Sequence, residues 1–321
     1  MSRSDAERPA GLPTRHHLYL LAVVALVETA NRLGSPRLVD RLAAGLAALA
    51  YRCSRTKRRA IERNAARVLG PLSATERARI ARGTFRTFWD ETMAFVPWRG
   101  AAAPRPEIVG LSHLEAALAR GTGAILWESG FFGRRNIAKQ ALQHAGFAVD
   151  QVHDATHRAG FRGDPHPSWV RDRIVLPYFA ARERQFTRRV VALPTSGSLA
   201  FTRTLLAVLQ GNGIVCITAD VPHGQRLVTL SLLGEPKRFA TGMVSLAQAS
   251  GATLLPLFCV RDPRGRTQVI IEPAIAVPAS GDREARSEAP LRQYAALLET
   301  YVRRHPEQYH SWHYPWWETT A

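Results

Sequence analysis

From Pro106 onward, short apolar runs alternate with stretches of helical periodicity, and no other feature restricts the fold of this chain as tightly. The candidate strands are Ala124–Trp127, Ala148–Val152, Val190–Leu193, Ile214–Thr218, Leu227–Leu232, Thr253–Val260 and Gln268–Ile271. The candidate helices are Ile137–His144, Ser198–Gln210, Gly242–Ala249 and Leu291–Arg303. Strands alternating with helices imply a mainly parallel sheet with both faces covered. The expected fold class is therefore α/β, with a mainly parallel central sheet flanked by helices. Ligands of such sheets bind outside the carboxyl ends of the strands. Two segments lie there: Glu128 to Asn136 after the first strand, and Asp220 to Arg226 after the fourth.

Ahead of this body, residues 1–17 are polar and proline-bearing and read as a flexible tail; residues 18–105 read as a helical segment, and residues 106–321 as the α/β domain. Leu18 to Val27 is a continuous apolar run closed by Glu28 and Asn31. As a helix, ten residues rise about 15 Å, half of the roughly 30 Å of a bilayer core, so the run is short for a span. Glu28 and Asn31 stand where a cleaved signal peptide would carry small residues. A buried core helix and a membrane-dipping helix both fit. Leu38 to Tyr51 is a second, mostly apolar helix leading into Arg52, Arg55, Lys57, Arg58 and Arg59. That order suits a helix lying in the interface with its cations on lipid phosphates, at about 1 kcal/mol each near an anionic leaflet. A solvated charge run is the alternative. Ser73 and Glu76 have capping-box spacing at the start of a further helix through Ile80 and Phe85 to Phe95. The proline- and glycine-bearing stretch from Pro97 to Pro106 marks a boundary.

A hydrophobic fraction of 46% and a charged fraction of 21% are globular values, and 43 basic against 26 acidic residues give a net charge of +17. Such a field favours anionic lipid, an acidic protein or cofactor, or nucleic acid. No zinc-finger spacing, RNA-binding aromatic run or helix-turn-helix supports nucleic acid as a partner. Cys53, Cys216 and Cys259 are odd in number and scattered, which suggests a reducing compartment and no disulfide framework or metal cluster.

Several blocks, in order, then carry a resemblance. They are Arg63-Asn64; Gly123-Ala124-Ile125-Leu126 with Ser129-Gly130-Phe131-Phe132-Gly133; Gly211 to Asp220; Gly234 through Phe239-Ala240-Thr241-Gly242 to Pro256; and His305-Pro306-Glu307-Gln308-Tyr309 with Trp312. In order and spacing they resemble the lauroyl/myristoyl acyltransferases of lipid A biosynthesis, in the lysophospholipid acyltransferase-like superfamily. The resemblance implies a glycerol-3-phosphate acyltransferase-like sandwich on the cytoplasmic face of the inner membrane. It implies a fatty acyl group moved from acyl carrier protein or coenzyme A, as co-substrate and with no other cofactor, to a hydroxyl of a glycolipid. The partners it implies are an anionic lipid surface, acyl carrier protein and the glycolipid acceptor; both donors are acidic, which suits the positive chain.

The resemblance also implies a His-x-x-x-x-acid dyad in which the imidazole takes the acceptor's proton and the carboxylate orients it. In this chain those positions are Phe131 and Asn136. Phenylalanine cannot accept a proton, and asparagine cannot balance an imidazolium. The expected active site is therefore atypical, or the chain is a catalytically inactive lipid-binding homologue. Glu128 is the nearest candidate base, with an ion pair to Arg134 or Arg135 as its structural alternative. His223, at a second strand end, is its candidate partner, or else an exposed turn residue. Asp220 either contacts substrate or holds its turn. Arg134, Arg135, Arg226, Lys237 and Arg238 are candidate clamps for substrate phosphates. In His153-Asp154-x-x-His157 the two histidines have i, i+4 metal-ligand spacing but lack a third ligand and read as solvated loop, so no metal is expected. Ser129 follows a strand but lacks the nucleophile-elbow glycines. Trp312, Trp316 and Trp317 either meet a headgroup layer or close the core.

Overall fold

The computed structural model describes residues 15–33, 35–97, 105–153, 169–194, 198–222, 226–278, 280 and 282–318. Four helices come first: α1 (Arg15–Leu33), α2 (Pro36–Cys53), α3 (Arg55–Leu69) and α4 (Ala74–Met93). The expected tail lies outside the described residues up to residue 14, and α1 begins three residues before the apolar run. Leu20, Val23, Val27 and Ala30, one face of α1, are buried, while Leu18, Tyr19 and Leu33 are exposed. The helix is therefore half packed into the core, and no described helix is long and apolar enough to cross a membrane. Ser35 caps α2, its Oγ accepting from Leu38 N at 3.4 Å, and Pro36 takes the first turn, where its missing N–H is harmless. The capping box of α4 forms as expected: Ser73 Oγ accepts from Glu76 N at 3.2 Å, and Glu76 Oε2 accepts from Ser73 N at 2.8 Å.

The body follows as β1 (Glu107–Val109), α5 (Leu111–Ala119), β2 (Ala124–Glu128), α6 (Arg135–His144) and β3 (Val149–His153). A short π-helical turn then runs into α7 (Leu176–Glu183), followed by β4 (Arg189–Ala192), α8 (Leu199–Gln210) and β5 (Ile214–Thr218). β6 (Leu227–Leu232), β7 (Glu235–Ala240), α9 (Gly242–Ser250), β8 (Thr253–Arg261), β9 (Thr267–Ile271) and α10 (Arg283–Arg304) complete it. The seven-stranded sheet has the order β1-β9-β8-β2-β5-β3-β4. Its pairings are parallel except β8 with β9. The mainly parallel sheet was legible, but Leu227–Leu232 is not part of it. That strand pairs antiparallel with β7 in a separate hairpin, because only two residues, Leu233 and Gly234, separate the two strands.

β2 is buried along its whole length, which is why its sequence is apolar without alternation. Ala124 and Leu126 face α5 and α6, alongside Leu114, Ala138 and Leu142. Ile125 and Trp127 face the larger core that includes Leu205, Val244, Tyr294 and Leu298. The carboxyl end of β2 thus opens between two packed layers. The helical segment joins this core through the C-terminal tail: Asn64 Nδ2 donates to Trp312 O at 2.9 Å, and Thr87 Oγ1 to Glu307 O at 3.3 Å. Trp312 and Trp316 are buried against Tyr309, so these tryptophans close the core.

His313, edge-on to Phe85 at 5.3 Å, is pushed down to a pKa of about 4 by burial, with Lys57 adding to the effect. In the unfolded chain the same ring takes its proton near 6.5. Between those values the unfolded state binds more protons, so this contribution is full above pH 6.5 and is lost as the pH falls toward 4. His313→Gln is expected to flatten the acid-side loss of stability by about 2–3 kcal/mol, measured by urea unfolding at pH 7 and pH 4.5.

Candidate active site

Beyond Glu128 the chain turns through Ser129-Gly130-Phe131-Phe132-Gly133 into α6. Asp220, fully buried after β5, braces this turn: its Oδ2 accepts from Ser129 Oγ at 2.7 Å and its Oδ1 from Gly130 N at 2.5 Å. Of the two roles open to Asp220, this geometry fills that of holding the turn. A side chain at Gly130 would meet Val221 Cγ2 at 2.5 Å. At Gly133, φ is +72° and a Cβ would collide with the Cys259 carbonyl, so only glycine lets the turn approach β8. The C-terminal tail grips the other side. His310 N donates to Phe131 O at 2.9 Å, Gly133 N donates to Gln308 O at 3.1 Å, and Phe132 forms an antiparallel bridge with Tyr309.

Phe131 is buried, and its ring lies 6.3 Å from Tyr309 and 5.5 Å from His310, centroid to centroid. Lys237 Nζ sits 5.0 Å from the same centroid, 5.3 Å from Trp316 and 5.9 Å from Phe239. A buried ammonium enclosed by three aromatic faces gains cation–π attraction that offsets part of its lost hydration. Lys237 is thus part of the wall around Phe131. Arg238, the next residue on β7, points to the opposite face of the hairpin, so the two cannot clamp one phosphate. Arg226 is exposed, its backbone carbonyl accepting from Thr241 N at 3.1 Å.

Glu128 shares the face of Leu126, not that of Trp127, and enters a buried charge cluster beneath α6. Its Oε1 lies 3.3 Å from Lys139 Nζ, 3.6 Å from Arg135 and 3.4 Å from Gln151 Nε2. Lys139 also lies 3.8 Å from Glu183, and Arg135 lies 3.4 Å from Glu91. Asn136, at the expected carboxylate position, is buried with its Oδ1 3.4 Å from Lys139 Nζ. Burial pushes the Glu91 carboxyl above the usual carboxylate range, against the pull of Arg135 and Lys139. Burial disfavours the charge on Lys139, yet Glu128 and its neighbours hold its pKa above the ordinary value. This geometry matches the ion-pair alternative for Glu128, with Arg135 rather than Arg134 as partner and Lys139 closer than either. Sequence reasoning missed Glu91, Lys139 and Glu183. The available signal was a lysine among Ile137, Ala138, Ala141 and Leu142, on a face that should be apolar. His223, Asp154 and His157 lie outside the described residues; His153 ends β3, and no metal-binding group occurs among the described residues.

Arg134 departs in the other direction. It donates to Thr267 Oγ1 at 2.7 Å, lies 3.7 Å from Asp90, and lines a cavity of about 740 Å³. The cavity opens where β8 ends and β9 and β1 begin, with α2 as its outer wall. Asp40 and Asp90 brace that wall, pairing with Arg86 at 2.6 and 2.8 Å, and Asp40 with Arg261 at 2.7 Å. Arg37, Arg41 and Arg105 also line it and have no ion-pair partner among the described residues.

The braced turn at the end of a central parallel strand, with a cavity at neighbouring strand ends, belongs to an α/β acyltransferase scaffold. The chain is a member of the family described as bacterial lipid A biosynthesis acyltransferase, which it matches over residues 12–149 and 179–318. It is similar to the phosphatidylinositol mannoside acyltransferase of Mycobacterium tuberculosis strain H37Rv, with 28% identity over 263 residues, 78% of this chain and 74% of the relative. The protein of the same name from strain CDC 1551 is 27% identical over 262 residues, with the same coverage of 78% and 74%.

Lys139 is the cation that two buried carboxylates share. Lys139→Met is expected to cost about 3–5 kcal/mol, because it leaves buried charge uncompensated, and adding Glu128→Gln should recover part of that. Equilibrium denaturation of the two variants at pH 7 measures both effects.

Proposed function

We propose that this acyltransferase moves a fatty acyl group from a thioester donor, acyl carrier protein or coenzyme A, to a hydroxyl of a phosphate-bearing glycolipid at the cytoplasmic face of a membrane. The observation that carries this reading is the cavity at the strand ends, with Arg37, Arg41 and Arg105 lining it and Arg134 at its base. A planar guanidinium suits phosphate oxygens, and three such groups without carboxylate partners among the described residues favour an anionic occupant. The mycobacterial relatives are named for phosphatidylinositol mannoside, a phosphate-bearing glycolipid, and that class of acceptor fits the cavity better than a neutral sugar. The exposed Leu18, Tyr19, Leu33 and Leu49 on the first two helices, with exposed Arg52, Arg55, Lys57 and Arg59 beyond them, suit an anionic lipid surface.

The test supplies purified protein with labelled palmitoyl-coenzyme A or palmitoyl carrier protein and vesicles containing phosphatidylinositol mannoside. Labelled acylated mannoside is the expected product. Binding without single-turnover transfer would favour the non-catalytic reading that Phe131 and Asn136 raise, and free fatty acid formed without acceptor would favour a hydrolase. Replacing Arg37 and Arg41 together by alanine is expected to raise the KM for acceptor about tenfold or more, from the loss of charge-assisted hydrogen bonds, with little change in the KM for donor.

A further inference from the structure

We propose that His310 is the general base of this active site, delivered to the turn after β2 by the C-terminal tail. The proposal rests on the acyl-transfer reading above and deepens it. A hydroxyl attacking a thioester needs a group to take its proton at the carboxyl end of the central strand. The described carboxylates and the lysine there are otherwise engaged. Glu128 is buried between Lys139 and Arg135 on the α6 face. Asp220 is fully buried and spends both oxygens on Ser129 and Gly130. Lys237 is a cation enclosed by Phe131, Phe239 and Trp316. Phe131 and Phe132 carry no titratable atom. His310 is partly buried, its Nδ1 shielded from solvent, and it carries an imidazole, the side chain most often used as a general base.

Its placement is tight. The ring is tilted 56° against that of Phe131 at 5.5 Å, and its own backbone N–H donates to Phe131 O. The Phe132–Tyr309 bridge and the bond from Gly133 N to Gln308 O fix the two residues that precede it. The imidazole therefore stands beside the ring at position 131, at the start of a short 3-10 helix, His310–His313, in the C-terminal tail.

The step balances as follows. The unprotonated imidazole nitrogen takes the acceptor's hydroxyl proton while the oxygen forms a bond to the thioester carbonyl carbon. The tetrahedral oxyanion collapses, the carbon–sulfur bond breaks, and the departing thiolate takes the proton back from the imidazolium. The products are an ester, a free thiol and a neutral imidazole.

The test uses the full chain with labelled palmitoyl-coenzyme A and vesicles of phosphatidylinositol mannoside. His310→Asn is expected to lower kcat by about 10²–10⁴-fold, with the KM of either substrate changed by less than about threefold. Phe131→His in the same variant should restore at least about tenfold of that loss, because it sets an imidazole on the neighbouring ring position. A kcat of His310→Asn within about threefold of the wild type would overturn the proposal and leave the acyl-transfer reading standing. No transfer by the wild type would remove both. Should His310→Asn fail to fold, the wild type decides: activity must fall in proportion to carbethoxylation of His310 located by mass spectrometry. Full activity with His310 modified counts equally against it.

Discussion

The turn that leaves β2 is held from two directions, and the candidate site depends on that double grip. From one side, the Asp220 carboxylate accepts from Ser129 and Gly130. From the other, the tail donates to Phe131 O and accepts from Gly133 N. Gly130 and Gly133 let Val221 and the Cys259 carbonyl of β8 approach closer than any side chain would allow. A turn so tied has one geometry, and that geometry sets both the ring of Phe131 and the imidazole of His310. Catalytic groups carried on loops need such bracing, because a small displacement of a reacting group costs orders of magnitude in rate.

Charge in this protein is sorted by layer. Beneath α6, Glu91, Glu128 and Glu183 are set against Arg135 and Lys139 in a setting where each carboxylate and cation is costly alone. Around the cavity, Asp40 and Asp90 tie Arg86 and Arg261 into the wall, while Arg37, Arg41 and Arg105 remain as surplus positive charge. Farther out, Arg52, Arg55, Lys57 and Arg59 lie exposed at the junction of α2 and α3. The overall +17 is therefore not a uniform field. Its interior portion is compensated, and part of the excess among the described residues lies at one cavity and along one stretch of surface.

The N-terminal helices are part of this arrangement. Leu20, Val23, Val27 and Ala30 of α1 are buried in the same core that contains Phe179, and Glu28 pairs with Arg182 of α7. α2 supplies the outer wall of the cavity, and α3 and α4 fasten to the C-terminal tail. A segment that reads from sequence as membrane-associating thus supplies, through α2, a wall of the pocket.

Local chemistry made much of this legible. The apolar runs of β2, β5 and β8 announce strands buried on both faces, and Ser73 with Glu76 announces the start of α4 to the residue. β1 and β7 escaped notice because one has only three residues and the other carries Glu235, Pro236, Lys237 and Arg238. The substitutions at Phe131 and Asn136 were visible at once, since identity alone decides whether a side chain can take a proton. By itself, then, the sequence determined the fold class, the family pattern and the absence of a base at position 131. Only the tertiary structure decided that Glu128 meets Lys139 and Arg135, that Asp220 braces the turn, and that His310 lies against Phe131. Those contacts join residues separated by up to 179 positions, and no periodicity of a helix or strand encodes which distant segments share an edge.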